Sequence, residues 1–521
     1  MSLGRVSTVY TRAVSGIEAP LVTLETHIAE TGLHGFTIVG MPEMAVRESR
    51  DRVRSAIQNS GFEFPSSKRI TVNLAPAEVP KAGGRYDLGI AIGILSASGV
   101  LPVANLHCYE IVGELALTGK VRPVRGALSA SVAASSNGRT LILPLINLEE
   151  ALLLPNQLAL GVSHLIELTR LLSRSPDMLT TRIQPPSAAP DQPVKPEELS
   201  NASDDNHHTG LNEVKGQLAA KRALIIAAAG GHHMLMRGPP GCGKTMLASR
   251  ICNLMPVPTD AERAEIVRIH SAAGSTNLAA MCMRRPFRNP HHNATAAAII
   301  GGGKPIQPGE IALAHLGILF LDELPEFNRQ VLESLREPLE SREILIARAN
   351  ERQRFPAAFQ LIAAMNPCPS GRSCTDKSCI CTQEQKRRYE TRISAPIMDR
   401  IDIHINLQPL TPKELLNPAQ QLDEVAIHSA IKEAKSRQLI RLKRYSNAAM
   451  GPDEVIEYCA LDSQSQDCLS QAVDRFEMSA RACDRLLKVS RTIADLEASD
   501  VIEKKHLLEA LGYRQPSMLS I

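Results

Sequence analysis

Apolar and polar positions follow two different rhythms over the first third of the chain. Runs with an apolar residue at every second position predict strands, and stretches with apolar residues three or four positions apart predict helices. The predicted strands are 36–39, 70–74 and 109–112, and the predicted helices are 48–60 and 128–134. Such alternation is typical of an α/β domain, which we assign to residues 1–172.

Three further segments follow. Residues 173–208 are polar, rich in Pro and Ser and without apolar periodicity, which predicts a linker. Residues 209–407 again alternate apolar runs with helical stretches, which predicts a second α/β domain. Residues 408–521 place Leu and Ala at helical spacing among charges, which predicts a helical domain. A chain of 521 residues needs several such cores, because a single core rarely grows beyond roughly 250–300 residues.

The composition narrows the function classes. Hydrophobic residues make up 44% of the chain and charged residues 22%, as in ordinary globular proteins. Aromatic residues make up 3%, without Trp, which argues against a single-strand binder that stacks bases on aromatic side chains. The net charge of +3 leaves any nucleic-acid contact to local Arg and Lys clusters.

Cysteine usage and apolar run length indicate a location. The eleven cysteines are scattered without a paired framework, which suits a reducing cytoplasm. The apolar runs, such as 88–95, are too short to span a bilayer. We therefore expect a cytoplasmic protein without membrane contact.

A glycine-rich loop lies between an apolar run and a helix-forming stretch. Its residues are Gly238, Pro239, Pro240, Gly241, Cys242, Gly243, Lys244 and Thr245. Glycines let backbone N–H groups turn toward a phosphate, and the helix N-terminus adds the positive end of its dipole. Lys244 is expected to reach the β- and γ-phosphates of ATP, and the Thr245 hydroxyl to bind Mg²⁺.

Two later apolar runs end in polar residues that complete this site. The first ends in Asp322 and Glu323, which predicts that Asp322 holds Mg²⁺ and that Glu323 polarises the attacking water. The second ends at Asn366, whose amide can orient that water. The alternative for Asn366 is a cap on the turn before Pro367.

Residues 343–355 predict a β-hairpin, because apolar residues alternate on both sides of a polar turn. Arg348, Arg352 and Arg354 of this hairpin could follow the phosphates of a DNA strand without reading its sequence. The alternative is a solvated hairpin whose charges prevent edge-to-edge aggregation. Glu351 lies among these arginines and weakens the electrostatic case.

Four cysteines lie within fourteen residues: Cys368, Cys374, Cys379 and Cys381. Thiolates so close together in a cytoplasmic protein suggest tetrahedral Zn²⁺. Their spacing differs from that of a standard zinc ribbon, and the intervening residues are polar and basic. A flexible surface loop without metal therefore remains the alternative.

Several motifs resemble the magnesium-chelatase-like AAA+ family. They are EVKGQ (213–217), GGHH (230–233), the glycine-rich loop, RPFRNPHH (285–292), GGG (301–303), PGEI (308–311), DELPEF (322–327), AMNPC (364–368) and MDRID (398–402). The resemblance implies an AAA+ core with a C-terminal helical lid, assembled as a homohexameric ring with ATP between subunits. It also implies that Arg400 is the arginine finger and Arg481 the sensor-2 arginine of the lid.

The N-terminal domain resembles the proteolytic domain of the Lon family in NLAPAEVPK (73–81), GGRYD (83–87) and GELAL (113–117). That family uses a Ser nucleophile activated by a Lys. Here Asp87 stands at the position of the Ser and Ala130 at the position of the Lys. We therefore expect an inactive Lon-like domain and no protease activity.

The resemblance implies a DNA motor with helicase or branch-migration activity, acting in recombination during natural transformation. Its expected partners are single-stranded or branched DNA, bound largely independently of sequence, and recombination proteins. The alternative is a chaperone-like remodeller of a protein partner, as in magnesium chelatase. The hairpin arginines favour DNA, whereas the near-neutral charge and the few aromatic residues leave the alternative open.

Overall fold

The computed structural model describes residues 5–30, 34–40, 44–102, 106–173, 210–275, 278, 281, 283–303, 306–347, 352–371, 379, 381–409, 421–443 and 446–514. The linker predicted at 173–208 lies almost wholly outside these residues, and the domain boundaries stay predictions. None of the helices in these ranges is long and apolar enough to cross a membrane.

The N-terminal part is an α/β unit built on one mixed sheet. Its strands are β1 (Arg5–Arg12), β2 (Leu21–Ala29), β3 (Gly35–Val39), β4 (Arg69–Ala75), β5 (Tyr109–Ile111), β6 (Glu114–Leu115), β7 (Val121–Arg122), β8 (Thr140–Pro144) and β9 (Ala159–Val162). Its helices are α1 (Met44–Asn59), α2 (Asp87–Ala97), α3 (Ala127–Ser136), α4 (Leu148–Ala151) and α5 (Leu165–Leu172). Seven strands are ordered β3-β4-β2-β1-β5-β8-β9, and β2 runs antiparallel to both neighbours.

The sequence pattern anticipated five elements of this unit. The predicted strands correspond to β3, β4 and β5, and the predicted helices to α1 and α3, so these predictions are confirmed. Helix α2 occupies the apolar run 88–95, and all its residues are buried. Because every side of α2 faces protein, its sequence carries no amphipathic rhythm.

The second α/β unit is built on a five-stranded parallel sheet. Its strands are β10 (Met234–Arg237), β11 (Phe287–Arg288), β14 (Ile318–Leu321), β17 (Gln360–Met365) and β18 (Ile403–Asn406), ordered β11-β14-β17-β10-β18. The short pairs are β12 (Gly301–Gly302) with β13 (Gln307–Pro308), and β15 (Glu343–Ala347) with β16 (Arg352–Pro356). Strands β14 and β17 are buried along their whole length, as expected for parallel strands covered on both faces.

Helices cover both faces of this sheet and form the C-terminal part. They are α6 (Leu218–Gly230), α7 (Lys244–Leu254), α8 (Asp260–Ala272), α9 (Ala296–Ile300), α10 (Glu310–Leu313), α11 (Arg329–Ser334), α12 (Arg336–Ser341), α13 (Gln383–Glu390) and α14 (Ala395–Met398). The C-terminal helices are α15 (Glu424–Leu442), α16 (Pro452–Tyr458), α17 (Ser463–Phe476), α18 (Ala480–Leu496) and α19 (Lys504–Gly512). Apolar side chains of α15, α18 and α19 share one buried cluster with α6, α7 and β10, so the C-terminal helices pack directly on the second α/β unit.

The N-terminal unit contacts the second unit through the turn between β1 and β2. Gln353 of β16 donates a hydrogen bond from Nε2 to Ser15 Oγ at 3.0 Å, and Arg268 of α8 donates to the Ile17 carbonyl at 2.8 Å. Leu128 of α3 also packs in one buried cluster with Val267 of α8. The N-terminal unit therefore contacts the hairpin β15–β16 near its turn, at the second residue of β16.

We predict that Glu110→Ala destabilises the protein by about 3–5 kcal/mol, because it leaves buried cations without their acid. Glu110 is fully buried and accepts from Arg12 at 2.5 and 2.7 Å and from Arg139 at 3.2 Å. Urea denaturation followed by circular dichroism measures the loss.

Glu30→Ala is the matched control, since the exposed Glu30–Lys68 pair spans 3.4 Å at the ends of β2 and β4. Exposed pairs contribute at most about 1 kcal/mol, so the control should change stability little. Equal losses for both variants would contradict the importance of the buried pair.

Candidate active site at the glycine-rich loop

The glycine-rich loop connects β10 to α7, and its shape depends on two glycines. Gly241 and Gly243 have φ angles of +78° and +89°, in the left-handed region that side chains disfavour. The loop is anchored to the neighbouring strand, because Gly238 N donates to the Met365 carbonyl at 3.2 Å. Helix α7 begins at Lys244, so the positive end of its dipole faces the loop.

Lys244 is fixed inside the loop by three acceptors. Its Nζ donates to the carbonyls of Gly238 at 2.7 Å and Pro239 at 3.0 Å, and to Asn366 Oδ1 at 3.1 Å. An ammonium group has three donors, so each has a partner. Phosphate oxygens of a nucleotide can replace these neutral acceptors, and each then forms a charge-assisted hydrogen bond with the ammonium group.

Thr245 and the end of β14 bring oxygen atoms together beside the loop. Thr245 Oγ1 donates to Asp322 Oδ2 at 2.8 Å, and Glu323 N donates to Asp322 Oδ1 at 2.9 Å. Glu323 has a φ of +54°, a conformation that non-glycine residues adopt rarely and mainly at functional sites. A hydroxyl and a carboxylate in contact form the hard oxygen pair that Mg²⁺ prefers.

Asn366 directly follows β17, and hydrogen bonds of its own backbone and of the next residue hold it in place. The backbone of Asn366 hydrogen-bonds to Tyr389, and burial, aided by Glu326, raises the pKa of the Tyr389 phenol to about 12. Arg237 donates to the next carbonyl, that of Pro367, at 2.8 Å. The Asn366 amide therefore faces Lys244 from a segment with several hydrogen bonds, and its role in orienting water stays a prediction.

His292 enters the site although sequence reasoning left it unassigned. Its Nδ1 lies 3.1 Å from Glu323 Oε2, and its ring contacts the edge of Phe327 at a centroid distance of 6.5 Å. The basic residues around it have structural partners instead. Arg285 pairs with Glu262 at 3.0 Å and Arg288 with Glu310 at 2.5 Å. The sequence motif alone does not separate these roles, because the partners are distant in the chain.

Arg400 lies away from the glycine-rich loop. It follows α14, donates from Nη1 to the Pro396 carbonyl at 2.6 Å and forms an ion pair with Glu340 of α12. It precedes β18, whereas the loop follows the neighbouring parallel strand β10. Arg400 therefore lies at the amino edge of the sheet and the loop at the carboxyl edge.

Arg481 lies in the first turn of α18 and is exposed. Burial lowers the pKa of its neighbour Arg485, and the positive charges of Arg400 and Arg481 lower it further. The opposing charges that act on Arg485 are those of Asp399 and Asp402. The two arginines predicted to be catalytic are thus close enough to contribute to one positive field.

The residues at the loop fit ATP and Mg²⁺ by their chemistry. Left-handed glycines, a fixed ammonium and a helix N-terminus suit a triphosphate, and the Thr245–Asp322 oxygens suit the metal. Cys242 is buried within the loop, and burial raises the pKa of its thiol, so it stays protonated and apolar. Pro239 and Pro240 form the part of the loop between Gly238 and Gly241.

The predicted hairpin is present as β15 and β16, in the register Glu343↔Pro356 to Ala347↔Arg352. Arg352 is exposed, and Arg354 is exposed and pairs with Glu343 at 3.1 Å. Arg348, the third predicted DNA contact, lies outside the described residues. The hairpin prediction is confirmed, and its DNA contacts stay a prediction.

Three of the four clustered cysteines come together. The sulfur atoms of Cys368, Cys379 and Cys381 all lie within 4.8 Å of one another, and Cys368 Sγ lies 3.8 Å from Cys379 Sγ. Cys374 lies outside the described residues. Three thiols at this separation suit a tetrahedral metal, whose fourth ligand these residues leave open.

The two Lon-related positions hold structural residues. Asp87 is fully buried at the start of α2, and it accepts from Arg52 Nε at 2.9 Å and from Leu115 N at 3.3 Å. Burial raises the pKa of Asp87, and the hydrogen bonds oppose that effect. Ala130 is buried in α3. Asp87, paired with Arg52, cannot act as the nucleophile, and the methyl group of Ala130 cannot act as its base.

Comparison with known proteins gives the family. Three family models match the chain: subunit ChlI of magnesium chelatase over residues 24–147, magnesium chelatase subunit ChlI over 210–415, and the ChlI C-terminal model over 423–514.

Individual relatives agree with these family models. The chain is 45% identical over 509 residues to the competence protein ComM of Haemophilus influenzae, which covers 97% of both chains. It is 44% identical over 517 residues to the uncharacterized protein YifB of Escherichia coli, which covers 99% of this chain and 98% of YifB. A weaker match, 24% identical over 237 residues, joins 42% of this chain to 26% of the DNA replication licensing factor Mcm6 of Drosophila melanogaster. The chain therefore belongs to the magnesium chelatase ChlI-like family of AAA+ ATPases.

Proposed function

We propose that this protein is an ATP-hydrolysing motor that assembles into a homohexameric ring and moves DNA strands during recombination. The observation that carries the proposal is the convergence of Lys244, Thr245, Asp322 and Asn366 at one edge of a parallel sheet. This arrangement holds a nucleoside triphosphate by its phosphates and its metal.

Each residue of the site has a separate task in hydrolysis. Bound Mg²⁺ supplies neutralisation of charge on the phosphate oxygens, and Thr245 and Asp322 hold it. Lys244 binds the β- and γ-phosphates, Glu323 polarises the attacking water, and Asn366 orients that water. The His292 imidazole beside Glu323 restrains the carboxylate until the substrate is bound.

Two arginines complete the site in the proposed ring. Arg400 stabilises the charge that develops on the γ-phosphate of the neighbouring subunit's ATP. Its position at the edge of the sheet opposite the glycine-rich loop supports action on a neighbour. The C-terminal helices act as the lid. Arg481, at the start of α18, is the lid residue that senses the bound nucleotide.

The hairpin β15–β16 supplies the proposed contact with DNA. Arg352 and Arg354 are exposed along one strand and can bind phosphates without reading bases. Similarity to a competence protein and, more weakly, to a DNA replication licensing factor supports DNA as the substrate. We propose branch migration of recombining strands during natural transformation as the task, with recombination proteins as partners and the cytoplasm as the location.

A chaperone-like remodeller of a protein partner is the second candidate. It is favoured by the Arg354–Glu343 pair of 3.1 Å, which neutralises part of the hairpin's charge. The family's name, from magnesium chelatase, supports it as well. Dependence of the ATPase on DNA separates the two candidates.

We further propose that the cysteine cluster holds Zn²⁺ in a structural site. Cys368 follows Asn366 by two residues, and a Cβ on Gly371 would lie 3.4 Å from Pro240 of the glycine-rich loop. A metal on these thiolates would therefore stiffen the loop that backs the nucleotide site. Cys379 and Cys381 are only half-buried, which is compatible with a metal-free alternative that a metal analysis decides.

We expect single-stranded and forked DNA to stimulate ATP hydrolysis by the wild-type protein. Glu323→Gln should lower the rate by roughly 100-fold or more, because the water loses its polarising carboxylate. This variant should still bind ATP, whereas Lys244→Ala should lose binding. A coupled ATPase assay and a fluorescent nucleotide measure the two effects. Hydrolysis that ignores DNA at low salt would favour the protein remodeller.

Arg352→Gln and Arg354→Gln should each weaken DNA binding, because each removes one phosphate contact. The slope of log affinity against log salt should become shallower by roughly 0.7–0.9 per arginine. Glu343→Gln should strengthen binding, since it frees Arg354. Fluorescence anisotropy over a salt series measures these slopes. Arg475→Gln, which removes an exposed arginine from α17, is the control and should leave the slope unchanged; equal effects at Arg475 would contradict the hairpin contact.

Purified protein should contain about one zinc ion per chain, bound by thiolates. Cys379→Ser or Cys381→Ser should remove it while nucleotide binding persists, since neither residue belongs to the glycine-rich loop. Mass spectrometry of metals measures the content. Cys108→Ser, at an exposed cysteine of the N-terminal unit, should keep the zinc. Wild-type protein without zinc would end the proposal.

A further inference from the structure

A fully buried histidine bridges the second α/β unit and the C-terminal helices. His232 lies between α6 and β10 and has no exposed surface. Its Nδ1 lies 3.1 Å from Asp402 Oδ2, and its Nε2 lies 2.8 Å from Thr492 Oγ1. Both ring nitrogens are therefore engaged, one by each side of the interface.

The hydrogen-bond partners of His232 belong to the same segments as Arg400 and Arg481. Asp402 follows Arg400 by two residues, immediately before β18. Thr492 belongs to α18, the same helix that carries Arg481 in its first turn. A helix and a short turn are stiff over these few residues. A displacement of Thr492 is therefore passed to Asp402 through the imidazole.

The charge of Asp402 is maintained although the residue is buried. Burial alone would raise the pKa of this carboxyl, but the hydrogen bond with His232 and the nearby positive charge of Arg485 lower it below its usual value. The backbone supports the same contact, because Asp402 N and Ile403 N both donate to the His233 carbonyl at 3.1 Å. The carboxylate thus remains an acceptor for the imidazole.

Close packing leaves the imidazole little room. A Cβ on Gly230 would lie 2.3 Å from the His232 ring and 2.6 Å from Thr492 Oγ1, so the position requires glycine. Asn447 holds the far side, donating to Thr492 Oγ1 at 3.0 Å and to Asp495 Oδ2 at 2.8 Å. Buried polar networks with every member bonded are rigid.

We propose that His232 is a positioning residue that ties Arg400 to the C-terminal helices of its own subunit. Movement of those helices is then transmitted to an arginine that acts on the neighbouring subunit's ATP. The inference rests on the proposed function, since it needs hydrolysis at a shared site. Small displacements of a transition-state contact have large effects on rate, about 100-fold for 1 Å.

The first test compares variants that each keep one contact. His232→Asn places an amide near Nδ1 and keeps Asp402, and His232→Gln places one near Nε2 and keeps Thr492. Both should lower kcat by roughly tenfold, while the KM for ATP and the affinity for ADP change less than about twofold. Thr492→Val, which removes the hydroxyl at nearly constant volume, should have the same effect and serves if a His232 variant fails to fold.

His270→Gln is the matched control. His270 is also buried and hydrogen-bonds to the Leu313 carbonyl at 3.2 Å, but it lies in α8, away from both arginine segments. It should lower thermal stability without changing kcat. Folded His232 and Thr492 variants with wild-type kcat would overturn the proposal. A loss of kcat in the His270 variant, in the same proportion to its loss of thermal stability, would also overturn it.

The decisive test mixes subunits. A Lys244→Ala subunit cannot hydrolyse ATP but has an intact Arg400, so mixing it with His232→Asn should restore hydrolysis at the shared sites. Arg400→Ala mixed with Lys244→Ala is the reference and should show the same rescue. Rescue in the reference but not with His232→Asn would overturn the inference alone. Absence of rescue in the reference would overturn the proposed ring, and this inference with it.

Discussion

The parallel order of the second sheet is the constraint on which the site depends. Strands β14, β17 and β10 are adjacent and parallel, with Leu321 opposite Ala363 and Arg237 opposite Met365. Their carboxyl ends therefore meet at one edge, where ligands bind in such sheets. Three segments far apart in sequence, the glycine-rich loop, Asp322–Glu323 and Asn366, are brought together by backbone pairing alone. The chemistry of the site then follows from the residue types that end each strand.

This dependence explains how much the sequence could predict. The glycine-rich loop and the acids after β14 are local patterns, so their residues and neighbours in the chain identify them. The hairpin was equally local, and its register agrees with the alternation of its residues. The contact of His232 with Thr492 spans 260 positions and that with Asp402 spans 170, and no local pattern encodes either. The same holds for His292 and Glu323, because only the packing of the sheet brings them together.

The N-terminal unit holds an ion pair at the position that the sequence resemblance aligns with a nucleophile. Asp87 is fully buried there, and its charge is neutralised by the partly buried Arg52. A buried ion pair of this kind stabilises only as long as both partners remain. The unit instead contributes a surface: Ser15 and Ile17, in the turn between its first two strands, receive Gln353 and Arg268 of the second unit. The unit thus contacts one strand of the hairpin from the side, at Gln353.

The two edges of the sheet also bear on the proposed ring. Strand β18 is four residues long, so Arg400 before it and the loop after the adjacent β10 are separated by roughly 13 Å of strand at 3.3 Å per residue. Arg400 is further held on its own edge by Glu340 and the Pro396 carbonyl. An arginine so placed cannot stabilise charge on the nucleotide of its own loop without breaking these contacts. It can do so for the loop of a neighbour packed against that edge, and His232 and Asp402 lie at the same edge to hold it there. In the proposed ring a complete site would belong to two subunits, and hydrolysis in one subunit would depend on the conformation of the next.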